Sequence, residues 1–236
     1  MSISEMNPRS EDAAAPAPSL RNVVFLAYPK MGLLDLSGAQ TVFYAANIAL
    51  VERGLPGYAV RTVSVEGGPI QTAEGLVVET ERLDRLAETP IDTLLVPGTP
   101  NIRQTLANGG PLVDAVRTTS AAARRTASVC SGTFLLARAG LIDGLRVATH
   151  WAMADMFERM FAQVTLDREA IFVQQGSIWT SAGVSAGIDL ALAMVENDAG
   201  RDVAMQVARR LVVFYRRPDN REQWGALMNS QYSVSA

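Results

Sequence analysis

The chain of 236 residues has one cysteine, Cys130, and one histidine, His150. A lone cysteine closes no internal disulfide, so nothing demands an oxidising compartment. With one Cys and one His, a metal site within the chain would have to rest on carboxylates. There is no Walker pattern and no dinucleotide fingerprint. Neither a metal nor a cofactor is expected. Lys30 is the only lysine, and the predominance of Arg reads as genome bias. A formal net charge of −3 argues against a nucleic-acid surface spread over the whole protein. No apolar run approaches a membrane span. The first twenty residues lack an apolar h-region and carry Glu5, Glu11 and Asp12, unlike a signal peptide. A soluble, cytoplasmic protein without a membrane partner is expected.

What is present is a globular mix, 48% hydrophobic and 19% charged, enough for a sizeable core. "VVFLAY" reads as a strand buried on both faces, and "SGAQTVFYAANIALVERG" as a helix ending at Gly54. "YAVRTVSVEGG" reads as a strand and "PIQTAEGLVVET" as a hairpin. Further strands are "TLLVPG", "RTASV" and "LRVAT", with helices "PLVDAVRTTSAAA", "GTFLLARAG" and "WAMADMFERMF". "AIFVQQGSIWTSAG" reads as two strand pieces around Gly176, and "VSAGIDLALAMVEND" and "RDVAMQVARRLVVFYRR" as closing helices. The alternation implies an α/β three-layer sandwich, a mostly parallel sheet with helices on both faces. Residues 1–20 read as a flexible leader, 21–218 as one α/β domain, and 219–236 as a tail or truncated linker.

In a parallel sheet, ligands gather where strands end and helices begin. Cys130 sits at such a junction, and small Ser131 and Gly132 permit a sharp turn. The N–H groups of the helix's first turn would favour a thiolate, a nucleophile at neutral pH, in the manner of a hydrolase elbow. The alternative is a small buried hydrophobe. Asp35, expected at the end of the loop after the first strand, is the candidate proton handler; the alternative makes it a helix cap. His150 is a candidate base, a polar orienter or a satisfied near-core residue. The backbone N–H groups of Gly98 and Ser131 are candidate oxyanion donors, although "VPGTP" also suits a plain turn. Gly183 and Gly187 open a helix and suit close helix–sheet packing better than a phosphate.

The stretch "ASVCSGTFLLARAGLIDGLRVATHW" resembles the nucleophile region of the ThiJ/PfpI, class I glutamine-amidotransferase-like, superfamily. The likeness runs from about Val23 to Pro218. It is greatest to the N-terminal domains of AraC-type regulators and to isonitrile hydratases, through Cys130-Ser131-Gly132, "GLIDG", and Thr149-His150-Trp151. The resemblance implies a flavodoxin-like fold and a homodimer. It implies Cys130, Asp35, Ser131 and His150 as catalytic-type residues, and Gly98, Thr99, Gly132 and Thr149 around the ligand. Protease-like and glyoxalase-like members carry His directly after the Cys, where this chain has Ser131. Amidotransferases carry a Glu two residues after the His, which "THWAM" lacks. Many relatives have Gly-Gly where this chain has Gly98-Thr99.

In "GRDVAMQVARRLVVFYRRPDN", Val203, Val207, Leu211 and Phe214 recur at helical spacing, and Arg209, Arg210, Arg216 and Arg217 gather at one end. This describes a capped surface helix. It also resembles the segment that joins the ThiJ/PfpI-like domain of AraC-type regulators to their helix-turn-helix. DNA contact is therefore expected only through a helix-turn-helix domain not present in this chain. The leading expectation is a ligand-sensing regulator domain that takes a small molecule over Cys130. The alternative is a cysteine-dependent isonitrile hydratase. A third reading is redox sensing at Cys130.

Overall fold

The computed structural model describes residues 20–215. The chain begins with β1 (Arg21–Leu26), α1 (Leu33–Val51), β2 (Tyr58–Ser64), β3 (Gly68–Gln71) and β4 (Val77–Arg82). Next come β5 (Ile91–Val96), α2 (Ile102–Asn108), α3 (Gly110–Ala122), β6 (Ala123–Val129) and α4 (Gly132–Arg138). It continues with β7 (Arg146–Val147), α5 (Ala154–Met160), β8 (Thr165–Leu166), β9 (Phe172–Gln175) and β10 (Ile178–Ser181). Two helices follow, α6 (Ala186–Ala199) and α7 (Arg201–Leu211).

Eight strands form one sheet in the order β3-β4-β2-β1-β5-β6-β10-β9. The pairs from β4 through β10 are parallel, and only the outer strands β3 and β9 run antiparallel to their neighbours. The continuous apolar runs of β1 and β5 are buried on both faces because these strands lie in the middle. Helices α1, α6 and α7 pack together over one face; α2, α3 and α4 pack together over the other. The fold is the three-layer, flavodoxin-like sandwich. Edge-to-face ring pairs anchor both layers: Phe43 with Tyr58 at 4.9 Å, and Phe134 with Phe157 at 4.9 Å.

The amino edge of the sheet holds a buried charge pair. Arg125 and Asp198 have side chains 2% and 3% exposed. The Arg125 guanidinium donates to Asp198 Oδ1 at 3.0 Å and to Thr93 Oγ1 at 2.7 Å, and the Tyr58 hydroxyl donates to Asp198 Oδ2 at 3.1 Å. Each charge is thus partnered, which burial requires.

Three local expectations are corrected. "LRVAT" contributes only the two-residue β7, which pairs with β8 outside the main sheet, because β10 takes the place beside β6. The first helix starts at Leu33, not Ser37. The last helix ends at Leu211: Val212 turns left-handed at φ +56°, so Phe214 leaves the apolar face and is exposed. Arg216, Arg217, the expected leader apart from Leu20, and the whole expected tail lie outside the described residues.

Candidate functional site

Strands β1, β5, β6 and β10 are neighbours, so the segments leaving their carboxyl ends converge. They deliver Asp35, Gly98-Thr99, Cys130 and Gly183-Val184 to one place.

Cys130 has φ +60°, a left-handed conformation that L-residues avoid. The surroundings over-determine it. Its N–H donates to Ser181 O at 3.1 Å, and its carbonyl accepts from Thr149 Oγ1 at 2.9 Å and Thr133 Oγ1 at 3.3 Å. Ser131 Oγ donates to Thr99 O at 2.7 Å and accepts from Thr99 N–H at 2.8 Å, tying the turn to the loop after β5. Gly132 has to be glycine on space alone, since a Cβ there would lie 2.3 Å from Val96 O. Gly132 and Thr149 therefore build the elbow from beneath, and neither lines the pocket.

Asp35 is 5% exposed and stands inside the first turn of α1, not in a loop. Gly32 occupies the cap position, and the carboxylate reaches across to other segments. Oδ1 accepts from Val184 N–H at 2.8 Å and Oδ2 from Gly98 N–H at 3.1 Å. The Gly98 N–H is thus committed to Asp35 and is not free for an oxyanion, a correction to its expected role.

Burial pushes the Asp35 carboxyl up, against the two backbone N–H groups and the Cys130 thiol, which lower it; nearby Glu74 adds to the rise. Burial, then the Asp35 charge, pushes the Cys130 thiol well above the ordinary cysteine range, outweighing the pull of Ser131. Burial and the Asp35 charge thus oppose the thiolate that the helix terminus favours. Burial pushes both groups toward their protonated forms, with the thiol proton beside Asp35. Passing that proton to Asp35 yields a thiolate beside a neutral acid with no change in net charge.

Burial lowers the pKa of His150, so its ring is neutral at pH 7. Nδ1 accepts from Ala152 N–H at 3.3 Å, which places the ring proton on Nε2. In this arrangement His150 is a donor, not a base.

The junction opens into a cavity of about 370 Å³ lined by Asp35, Thr99, Cys130, His150, Met153 and Val184 among others, with mostly apolar walls. Of the sequence candidates, Asp35, Thr99, Cys130 and His150 line it, and Ser131 and Gly98 lie just behind. Two contributors, Val184 and Glu74, went unread in the sequence, and Gly183, read there for helix–sheet packing, instead meets the cysteine turn. Gly183, at φ +94°, lies so close to Cys130 that a Cβ would sit 2.2 Å from the cysteine Cβ. Gly187 does pack helix to sheet, against Val129, as expected. Val184 holds Asp35 from a left-handed backbone at φ +51°. Glu74, at the β3–β4 hairpin tip, accepts the Leu33 N–H at 3.0 and 3.1 Å. Among the described residues, no group of three or more His, Cys, Asp or Glu is placed to hold a metal ion. None of the described helices is long and apolar enough to cross a membrane.

The sequence profile described as the DJ-1/PfpI family matches residues 21–197. The chain belongs to the DJ-1/PfpI family. It is 31% identical over 188 residues to an isonitrile hydratase of Pseudomonas putida, covering 79% of this chain and 76% of that protein. It is 30% identical over 162 residues to the HTH-type transcriptional regulator CdhR of Pseudomonas aeruginosa, covering 68% of this chain and 47% of the regulator. The chain thus spans about half the length of that regulator. Among solved structures, a THiJ/PfpI family protein from Pseudomonas syringae superposes with TM-score 0.72 at 23% identity, over 99% of this chain and 92% of that one. At that identity the likeness speaks for the fold alone.

Proposed function

We propose that the chain, with residues 21–218 as one unit, is the ligand-sensing domain of a cytoplasmic AraC-type transcriptional regulator. A small, largely apolar molecule binds over Cys130, and DNA contact comes through a helix-turn-helix domain rather than through residues 20–215. The observation that carries this reading is the small, mostly apolar cavity over Cys130 and Asp35, where burial opposes ionisation of the thiol. A site that keeps its sulfur protonated is suited to binding rather than attack. The likeness to the regulators CdhR and GbdR supports it.

A homodimer belongs to the same reading. Leu34, Thr41, Tyr44 and Val51 are exposed on α1, with Ser37 and Ile48 between them. Spacings of three and four put all six on one stripe, and none is charged. Tyr44 is 66% exposed and Val51 75%, an apolar surface suited to pairing with a second copy.

The second reading is isonitrile hydration, favoured by Asp35 beside Cys130 and by the relative of that name. The Sγ proton would pass through Asp35 to the isocyanide carbon as sulfur bonds to that carbon, giving a thioimidate. Water would add to the same carbon, and cleavage of the C–S bond would return the thiol and release an N-substituted formamide. Incubation with cyclohexyl isocyanide, followed by NMR, separates the two readings. Sensing predicts no formamide beyond that seen with Cys130→Ala; Cys130-dependent turnover would overturn it.

A further inference from the structure

A second cavity, about 680 Å³, lies on the far side of the Lys30–Thr99 wall from Cys130. It stands where the strand order reverses. The chain runs outward from β1 to β2, then returns to the other side of β1 with β5. Ligands of open α/β sheets collect in this crevice, outside the carboxyl ends of the strands. Neither Asp35 nor Cys130 lines it, so it is separate from the site above.

The cavity has an apolar body and a polar side. Tyr28, Pro29, Val65, Ile70, Pro111 and Leu112 form much of its wall. Asn101, Gln104 and Asn108 line the opposite side, at spacings of three and four along α2 and its cap, so their amides share one face. Lys30 is the only cation of the lining and the only lysine of the chain. Its backbone is left-handed at φ +63° and fixed at both ends. The N–H donates to Gln71 O at 2.9 Å, and the carbonyl accepts from Thr99 Oγ1 at 2.5 Å. Lys30 is exposed, and among the described residues its ammonium is bonded to a neutral amide, Gln71 Oε1, at 3.0 Å. Glu66, the one acid of the lining, faces Arg82 at 3.7 Å.

We propose that this cavity is a second small-molecule site, for a monocarboxylate with an apolar body, its carboxylate paired with Lys30 and its body in contact with the walls and the α2 amides. The volume falls within the range of drug-sized pockets, about 300–1,000 Å³. An ammonium bonded to an amide exchanges that partner for a carboxylate at a gain, because both groups are then charged.

Isothermal titration of the full chain with 4-phenylbutyrate, beside the uncharged 4-phenylbutyramide, tests the proposal. The acid is expected to bind more tightly than the amide. Lys30→Gln should weaken the acid about tenfold and leave the amide unchanged. Gln104→Trp and Asn108→Trp replace exposed side chains of α2 and fill the cavity, so each should abolish binding of both probes without moving the thermal midpoint. Cys130→Ala should bind as the wild type does. The proposal is overturned by no detectable binding of the acid at millimolar concentration, by binding that survives both tryptophan variants, by equal affinity for acid and amide, or by loss of binding in Cys130→Ala.

Discussion

Replacing Gly183 by alanine tests how the cysteine turn is held. Two penalties act there, and the structure separates them. The first is backbone: φ is +94°, a region that costs an L-residue about 1 kcal/mol or more. The second is space: an alanine Cβ would lie 2.2 Å from Cys130 Cβ, 2.4 Å from its Cα and 2.8 Å from its Sγ. Carbon atoms normally meet at about 3.5–4.0 Å, so the loop after β10 must retreat by more than about 1 Å. That loop carries the Val184 N–H bonded to Asp35. Overpacking of this kind costs about 1–3 kcal/mol, for a total of roughly 2–4 kcal/mol. For a chain of this size the thermal midpoint should fall by on the order of 10 °C. Gly140→Ala is the control: its φ is +73°, but nothing lies within 4 Å of the added Cβ. It should lose only the backbone part, about 2–4 °C. Circular-dichroism melting of both variants checks the reasoning. If Gly183→Ala melts with Gly140→Ala, the close approach to Cys130 is wrong.

Asp35→Asn removes the negative charge beside Cys130 and should raise the rate of iodoacetamide alkylation at neutral pH by at least about tenfold, read by mass spectrometry; an unchanged or slower rate counts against the pairing. The raised Asp35 pKa also makes stability depend on pH. The folded state holds this proton more tightly than the unfolded one, so the contribution is fully present below the ordinary carboxylate range and lost as pH rises through the folded value. Melting from pH 4 upward should show that loss in the wild type, and Asp35→Asn should lack it. Asp198→Ala leaves the buried Arg125 charge with Asp92, at 3.7 Å, as its anionic partner and should cost about 3 kcal/mol in urea unfolding; a cost under about 1 kcal/mol would mean the pair is hydrated. Tyr44→Glu places a charge in the middle of the apolar stripe of α1 and should convert a dimer to a monomer in sedimentation velocity, without a change in the melt; a wild-type monomer would remove the dimer from the account.

The central strands were legible because strands buried on both faces must be continuous apolar runs, as "VVFLAY" and the "LLV" of "TLLVPG" are; "RTASV", with Arg125, Thr126 and Ser128, was legible only as small β-prone residues between two helices. The cysteine turn was legible because a sharp strand-to-helix turn needs small neighbours, which Ser131 and Gly132 supply. The start of α1 was misread for a non-local reason. Gly32 is a weak cap, and the Leu33 N–H is satisfied by Glu74, 41 residues later. Gly183 could not be assigned to Cys130, because nothing along the chain says which backbone passes within reach of a given glycine. The ionisation of Cys130 was the least legible part, because the helix terminus that favours a thiolate is visible in a sequence, whereas the burial that opposes it is not.

The most direct test of the account is the ionisation of Cys130, measured by ultraviolet thiolate absorbance as the difference between the wild type and Cys130→Ala across pH. A neutral thiol held by Asp35 predicts no thiolate signal at neutral pH and a midpoint above that of free cysteine. A midpoint below free cysteine would contradict it and return the site to a standing nucleophile.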